Sequence, residues 1–446
     1  MRISVFVIVL GMLPPPANAQ TPVSAAAQPI TLTELEQLAI ENNPTTRAAQ
    51  AGIDAARSRA RQAGAWPNPV VGYSGEEIKA GDVDKRGEHG FFVEQTIPLG
   101  GKLRLGRAVF DRTAERADAI LDVQRQRILS SVRTLFYEAL TTERRVEVQE
   151  RLAALASEAV GITAQLFNVG VADRPDFLES EIEARRVHLE LNAAKNRAFA
   201  VRQQLAAMVG RADIATRFFA GSIDHVIPEL ERDAAVRAIV EQSPQIRAAR
   251  AEVARTQAMT AQAQRATFPD LFIRGGAARN RERGEDSGRP IGWEGQLEAG
   301  VSLPLFNRNR GGIGAARAEE TLAQSDLQRL ELSLRSRAAT EFATYLTALN
   351  DSEAYRTEIL PRAEEAYQLY LARYREMAAA YPQVLIAQRS LFELSMRYLQ
   401  SVEDGWRAAL RIQGFLAGDG LQSPGGADQG EDGMGMSITG ERGGRR

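Results

Sequence analysis

The nearest this chain comes to a nucleotide site is Gly100-Gly101-Lys102. A phosphate-cradling loop needs a further Gly ahead of four intervening residues, and a Ser or Thr after the Lys to reach a magnesium ion. Those positions hold Thr96 and Leu103, so the loop reading fails. The three histidines, His89, His188 and His225, are far apart and lack a ligand partner at helical spacing, so no metal site within one chain is expected. There is no Cys at all, which removes disulfides, thiolate ligands and a lipid-carrying N-terminal Cys. Neither a Gly-x-Ser-x-Gly elbow nor a His-Glu-x-x-His helix occurs, and the many Glu and Arg residues sit at helical spacings that read as ion-paired outer faces. The expectation is no catalytic residue, no metal and no cofactor, and hence no enzyme. One polar pattern remains: Glu294, Gln296 and Glu298, each separated from the next by one residue. Such a row can line a wet passage.

The element that carries this row is a strand. Trp293, Gly295, Leu297, Ala299, Val301 and Leu303 alternate with Glu294, Gln296, Glu298, Gly300 and Ser302. Period-two alternation over about 11 residues is the length and pattern of a tilted membrane-barrel strand, apolar toward lipid and polar toward a lumen. Glu294, Gln296 and Glu298 are therefore expected to face the lumen, and Leu297, Ala299 and Val301 the lipid. Phe91, Val93 and Ile97 repeat the pattern less purely, Leu271, Ile273 and Ala277 give one apolar face of a third strand, and Val71 and Tyr73 begin a fourth. Strands are predicted over about 68–79, 88–98, 270–279 and 292–304, joined in pairs by charged, Gly-containing loops at Lys79–Glu88 and Arg279–Gly292. Four strands cannot close a barrel, since the smallest bacterial barrels have about eight, and open edges are not tolerated in lipid. Oligomerisation follows.

The chain also repeats itself. Glu41-Asn42-Asn43-Pro44 answers to Glu241-Gln242-Ser243-Pro244, Trp66-Pro67 to Phe268-Pro269, Ile97-Pro98-Leu99 to Leu303-Pro304-Leu305, and Phe167…Pro175…Leu178 to Tyr374…Pro382…Leu385. Four landmarks in one order at a near-constant offset describe a duplicated unit, taken as 20–220 and 221–416. Residues 31–64 and 231–266 favour helix on propensity and stop before Pro67 and Pro269. From Gly106 to Phe167, and from Gly314 to Tyr374, only Pro361 interrupts. Helices of about 60 residues run roughly 90 Å, far beyond the average of about 11 or 12 residues. Shorter helices over about 175–212 and 382–416 return alongside. The unit therefore reads helix, hairpin, helix, helix, and the long helices suit a tube.

Residues 1–19 have the Arg2, apolar Ile3–Leu13 and Ala17-Asn18-Ala19 order of a secretory signal. The apolar run is shorter than the roughly 20 residues that cross a bilayer as a helix. With 55 basic and 57 acidic residues there is no charge footprint for nucleic acid. The segment 417–446, rich in Gly, Ser and charge, has too little apolar content to fold and reads as a disordered tail.

On these residues the chain resembles the TolC-like outer-membrane efflux proteins. The resemblance rests on the duplicated order, on the Pro landmarks, and on Phe167-Asn168-Val169-Gly170-Val171 followed by Asp176-Phe177-Leu178. The stretches Glu94-Gln95-Thr96-Ile97-Pro98-Leu99-Gly100-Gly101-Lys102 and Leu303-Pro304-Leu305-Phe306-Asn307-Arg308-Asn309-Arg310-Gly311 look like its heavy-metal cation-efflux, CzcC-like branch. The resemblance implies a mainly α chain that contributes four strands to a shared trimeric twelve-stranded barrel in the bacterial outer membrane, continued by a long α-helical tunnel through the periplasm. It implies a passive conduit, with a periplasmic adaptor (membrane fusion) protein and an inner-membrane resistance-nodulation-division pump as partners, and heavy-metal cations as cargo. Asn168, Val169, Gly170 and Val171 fall in the family's helix-to-helix turn where the adaptor docks. The turns Asn168–Asp176 and Arg375–Gln383 are placed at the periplasmic tip, where Asp173, Asp176 and Glu376 offer negative charge to a passing cation. The acidic ring of well-known members aligns with Gln383 and Ile386, so that gate is not carried over. The second turn, Glu376-Met377-Ala378-Ala379, lacks the family's common Gly. A rival reading is an exported periplasmic coiled-coil adaptor or scaffold, which has no need of the Trp293–Leu303 alternation.

Overall fold

In a computed structural model the protein is described over residues 29–78, 87–223, 227–283 and 290–424. The stretch expected to be a secretory signal, both hairpin tips, His225 and most of the expected tail lie outside these residues. The first half runs α1 (Leu32–Asn42), α2 (Pro44–Ala63), β1 (Val70–Glu76), β2 (Glu88–Pro98), α3 (Lys102–Asn168) and α4 (Arg174–Val209). The second runs α5 (Arg232–Gln242), α6 (Pro244–Arg265), β3 (Asp270–Arg283), β4 (Pro290–Val301), α7 (Arg310–Ala354), α8 (Leu360–Arg375) and α9 (Tyr381–Gln413). The order of elements is the same twice.

Each opening helix, expected whole, is two. The reason is the Asn43-Pro44 and Ser243-Pro244 pairs: Pro starts the new helix, where its missing N–H costs nothing. The residue before it caps that helix, with Thr45 N–H donating to Asn43 Oδ1 at 3.0 Å and Ile246 N–H to Ser243 Oγ at 3.2 Å. Helix α3 is unbroken over 67 residues, about 100 Å at 1.5 Å per residue. Its counterpart is divided into α7 and α8 by a π-helical turn at Tyr355–Ile359, just before Pro361, whose ring cannot donate to the helical ladder.

The four strands form one antiparallel sheet in the order β1-β2-β3-β4, so the two hairpins are joined through β2 and β3. All long helices leave from the same end of the strands. Gly100, at φ +70°, turns the chain from β2 into α3, and a Cβ there would lie 2.7 Å from the Cβ of Phe268. Lys102 holds Asp270 at 2.8 Å. The Gly-Gly-Lys stretch is thus a strand-to-helix turn.

Midway along the helices a core of Ile128, Phe136, Leu205, Ile214, Tyr345 and Trp406 joins α3, α4, α7 and α9. A second core, with Tyr367, Tyr374, Tyr381 and Val384, lies at the far end. After α9 the chain does not leave the helices at 417, as composition suggested. Leu416 and Ala417 are buried, Arg337 Nη2 donates to Leu416 O at 2.7 Å, and Gln124 Nε2 donates to Gly420 O at 2.8 Å. A glycine-rich strap needs no apolar run when side chains of the helices take its backbone groups.

Candidate functional site

The sheet has two faces of opposite character, and the strand register fixes both. On one, Val71, Val93, Gly275 and Leu297 stand in a row across all four strands, next to Tyr73, Phe91, Ala277 and Gly295. These side chains are bare: Leu297 is 80 % exposed and Phe91 69 %. On the other face Glu94, Arg274 and Glu298 form a row, Gln296 lies opposite Gly276, and Glu294 lies opposite Ala278. Asn280 Nδ2 donates to Glu88 Oε1 at 2.8 Å and to Glu294 Oε2 at 3.3 Å. The Arg274 guanidinium lies 3.7 Å from the centre of the Phe92 ring. Glu294, Gln296 and Glu298 therefore share the polar face, with Leu297, Ala299 and Val301 on the opposite one. Glu94 was read on the polar side of its strand from the alternation against Phe91 and Val93, whereas Arg274 and Asn280 were not singled out from sequence. Only the pairing of strands shows that they join the row, and alternation within one strand does not carry that information. His89 pairs through Nδ1 with the Tyr73 hydroxyl, and His188 is exposed on α4.

The second zone is where α3 meets α4 and α8 meets α9, and there the two halves make the same turn. Gly170 N–H donates to Phe167 O and Val171 N–H to Leu166 O; Met377 N–H donates to Tyr374 O and Ala378 N–H to Arg373 O. Gly170 has φ +76° and Met377 φ +58°. The missing glycine of the second turn is answered by Met377 itself in the left-handed region. Asp173 Oδ1 caps α4 by accepting from Asp176 N–H at 3.1 Å, and Phe167 stacks on Phe177 with centroids 5.8 Å apart. A Cβ on Gly170 would meet nothing within 4 Å, so the turn presents an open surface.

The fold brings the turns together around a cavity of about 360 Å³, lined by Val171, Ala172 and Asp176 from one and Tyr374, Met377 and Tyr381 from the other. Asn168, Val169 and Asp173 are exposed on the first turn, and Glu376, Gln383 and Ile386 on the second. Burial, with the charges of Asp173 and Glu179, pushes the Asp176 carboxyl up. Burial raises the Tyr367 hydroxyl to about 12 and pushes Tyr374 and Tyr381 up as well. Just beyond lies a residue that sequence missed. Glu183 is 1 % exposed and accepts from Arg389 Nε at 2.9 Å and from Arg186. Burial works to raise its carboxyl, but the hydrogen bonds from Arg186 and Arg389 outweigh that and hold it below its ordinary value.

Among the described residues no cluster of three or more His, Asp or Glu could hold a metal ion, and no helix is long and apolar enough to cross a membrane. A profile described as "Outer membrane efflux protein" matches residues 35–211 and 235–413, most of both halves. The chain belongs to this family. As an outer membrane efflux protein it is placed in the outer membrane, in a family of channels, and the scaffold reading, which gives the sheet no purpose, falls away. Two relatives are similar to it over most of its length. The cobalt-zinc-cadmium resistance protein CzcC of Cupriavidus metallidurans is 26 % identical over 391 residues, covering 88 % of this chain and 91 % of that protein. The nickel-cobalt-cadmium resistance protein NccC of Alcaligenes xylosoxydans xylosoxydans is 26 % identical over 321 residues, covering 71 % and 70 %. In fold this efflux protein is similar to the outer-membrane channel OprN, with a TM-score of 0.73 at 18 % identity over 88 % of this chain and 91 % of that one. CusC gives a TM-score of 0.71 at 15 % identity, covering 87 % and 92 %.

Proposed function

We propose that the chain is the outer-membrane subunit of a tripartite efflux system, a passive conduit formed by three copies that releases heavy-metal cations to the exterior. The observation that carries this reading is the sheet, with one bare apolar face and, among the described residues, two unpaired edges, β1 and β4. In lipid each unpaired backbone group costs several kcal/mol. Because β1 and β4 run in opposite directions, β4 of one copy meets β1 of the next antiparallel, and the pattern continues unbroken. Three copies give twelve strands, with Glu94, Arg274, Glu294, Gln296 and Glu298 toward the lumen and Leu297 toward lipid.

The names of the two relatives support cobalt, zinc, cadmium and nickel as the class of cargo. In this reading the helices cross the periplasm, and the paired turns around Gly170 and Met377 meet a periplasmic adaptor and, through it, an inner-membrane resistance-nodulation-division pump. The repeated order of elements supports two duplicated units meeting near residue 220. The channel itself selects little, and the pump supplies the energy.

The test is resistance of cells that keep the adaptor and pump but lack this chain. Restoring the chain should restore growth in cobalt, zinc or cadmium, and Gly170→Trp should fail to do so while reaching the outer membrane at normal yield. Equal growth with and without the chain, or full resistance with Gly170→Trp, contradicts the reading.

A further inference from the structure

The polar face of the sheet carries two aromatic rings among its charged side chains, Phe92 on β2 and Phe272 on β3. Each has a glycine as its neighbour across the ladder: Phe92 lies opposite Gly72 on β1, and Phe272 opposite Gly300 on β4. A glycine inside a strand weakens it, and often marks a close approach to the backbone. The backbone conformation does not demand glycine here, since neither Gly72 nor Gly300 has a positive φ. The space does. A Cβ on Gly72 would stand 2.4 Å from Cζ of Phe92 and 2.6 Å from its Cε1, and a Cβ on Gly300 would stand 2.4 Å from Cζ of Phe272. Carbon atoms pack at about 3.5–4.0 Å, so the ring tips fill the places that side chains would take. On the apolar face a Cβ on Gly275 or Gly295 would meet nothing within 4 Å.

The two rings therefore lie down along the sheet instead of standing off it, and both are half-buried, in contrast to Phe91 on the bare face. Over the Phe92 ring rests the guanidinium of Arg274. The ring attracts the cation, and Glu94 and Glu298 flank Arg274 in register on the strands to either side. Gly72, Phe92 and Arg274 thus form one stack, which keeps a bulky ring and the cation of this row close to the wall.

We propose that Gly72 sets the free bore of the barrel, by giving Phe92 a seat against the wall and through it keeping Arg274 out of the path of a passing cation. The proposal rests on the reading of this face as the lumen. A side chain at position 72 evicts the ring, and ring and guanidinium then swing toward the axis, narrowing the passage and placing positive charge in the way of positively charged cargo. Gly300 gives Phe272 the same kind of seat nearer the helices, at the level of Thr96.

The chain has no native Cys, so access to single cysteines from outside intact cells tests this on the full-length protein. Thr96→Cys lies on the same face as Phe92 and beyond it for a reagent entering from the hairpin tips, and Ser74→Cys lies before it. A membrane-impermeant maleimide carrying a polyethylene glycol chain is compared with a small impermeant one. Adding Gly72→Ala should slow the bulky reagent at Thr96→Cys about ten-fold relative to Ser74→Cys, equivalent to about 1.4 kcal/mol of added barrier, and should affect the small reagent far less. Removing the ring as well, in Gly72→Ala with Phe92→Ala, should restore the wild-type ratio. Phe92→Ala alone should leave that ratio unchanged, because a ring already at the wall blocks nothing, and this variant decides the matter even where Gly72→Ala fails to assemble. A bulky-reagent ratio that is the same with and without Gly72→Ala, or one that rises several-fold in Phe92→Ala, overturns the proposal and leaves the lumen reading intact. A small reagent that reaches Ser74→Cys but never Thr96→Cys in the otherwise unaltered chain would show that the face is not a lumen, and the proposal would fall with that reading.

Discussion

Glu183 is a buried carboxylate that serves the fold at the end of the helices where α4 passes α9. It accepts from Arg186 on its own helix and from Arg389 on α9, whose guanidinium groups are half exposed. A hydrogen bond to a charged group contributes about 1.5–3 kcal/mol, and the two exposed partners can be rehydrated, so Glu183→Gln should cost about 1–3 kcal/mol at neutral pH. The pH dependence has a definite sign. The folded carboxyl sits below its unfolded value of 4.5, so its contribution is fully present above about pH 4.5 and is lost as pH falls through the lower folded value. Chemical unfolding of the detergent-solubilised protein should show a large gap between wild type and Glu183→Gln at pH 7 that narrows near pH 3. A gap that widens on acidification would mean the carboxyl is not held ionised by its arginines. Met377 is a different residue-scale lesson. A left-handed conformation costs a side-chain-bearing residue about 1–2 kcal/mol, and Met377 adopts it in a turn closed by the same pair of backbone hydrogen bonds as the one that Gly170 makes.

At the scale of elements, the strands and long helices were legible because each carries its own period. Alternation gave β2 and β4, and the absence of Pro with only scattered Gly gave α3. What was not legible needed a second element. The breaks at Asn43-Pro44 and Ser243-Pro244 look like passing turns until the caps are seen, and the π-turn before Pro361 is a local answer to one ring. The strap at Gly414–Gln422 has no apolar period at all and is held by Gln124, Ser131 and Arg337 from distant helices. The same holds at the candidate site. Glu294, Gln296 and Glu298 could be read from one strand, but Arg274 and Glu94 join them only through register, and Glu183 had no motif to mark it. The register also yields a prediction. A charge on the lipid face near mid-membrane costs about 2–4 kcal/mol, so Leu297→Arg should sharply reduce the assembled yield in the outer membrane while Glu298→Arg should leave it near wild type. Equal yields would mean the two faces are reversed or that neither meets lipid.

For the whole molecule, everything turns on the two free edges. A sheet of four strands with a bare apolar face is not a finished structure in lipid, and the opposite directions of β1 and β4 allow a ring of copies to complete it. The long helices then need no apolar face toward the membrane, because they begin where the strands end. The most direct measurement uses the cysteine-free chain again. Val71→Cys in β1 is combined in turn with Gly295→Cys, Leu297→Cys and Ala299→Cys in β4, and the full-length protein is oxidised in native outer membranes. The account predicts that at least one pair yields a covalent ladder of one, two and three chains that stops at three. Monomer alone with every pair, or a ladder that runs past three, would contradict it.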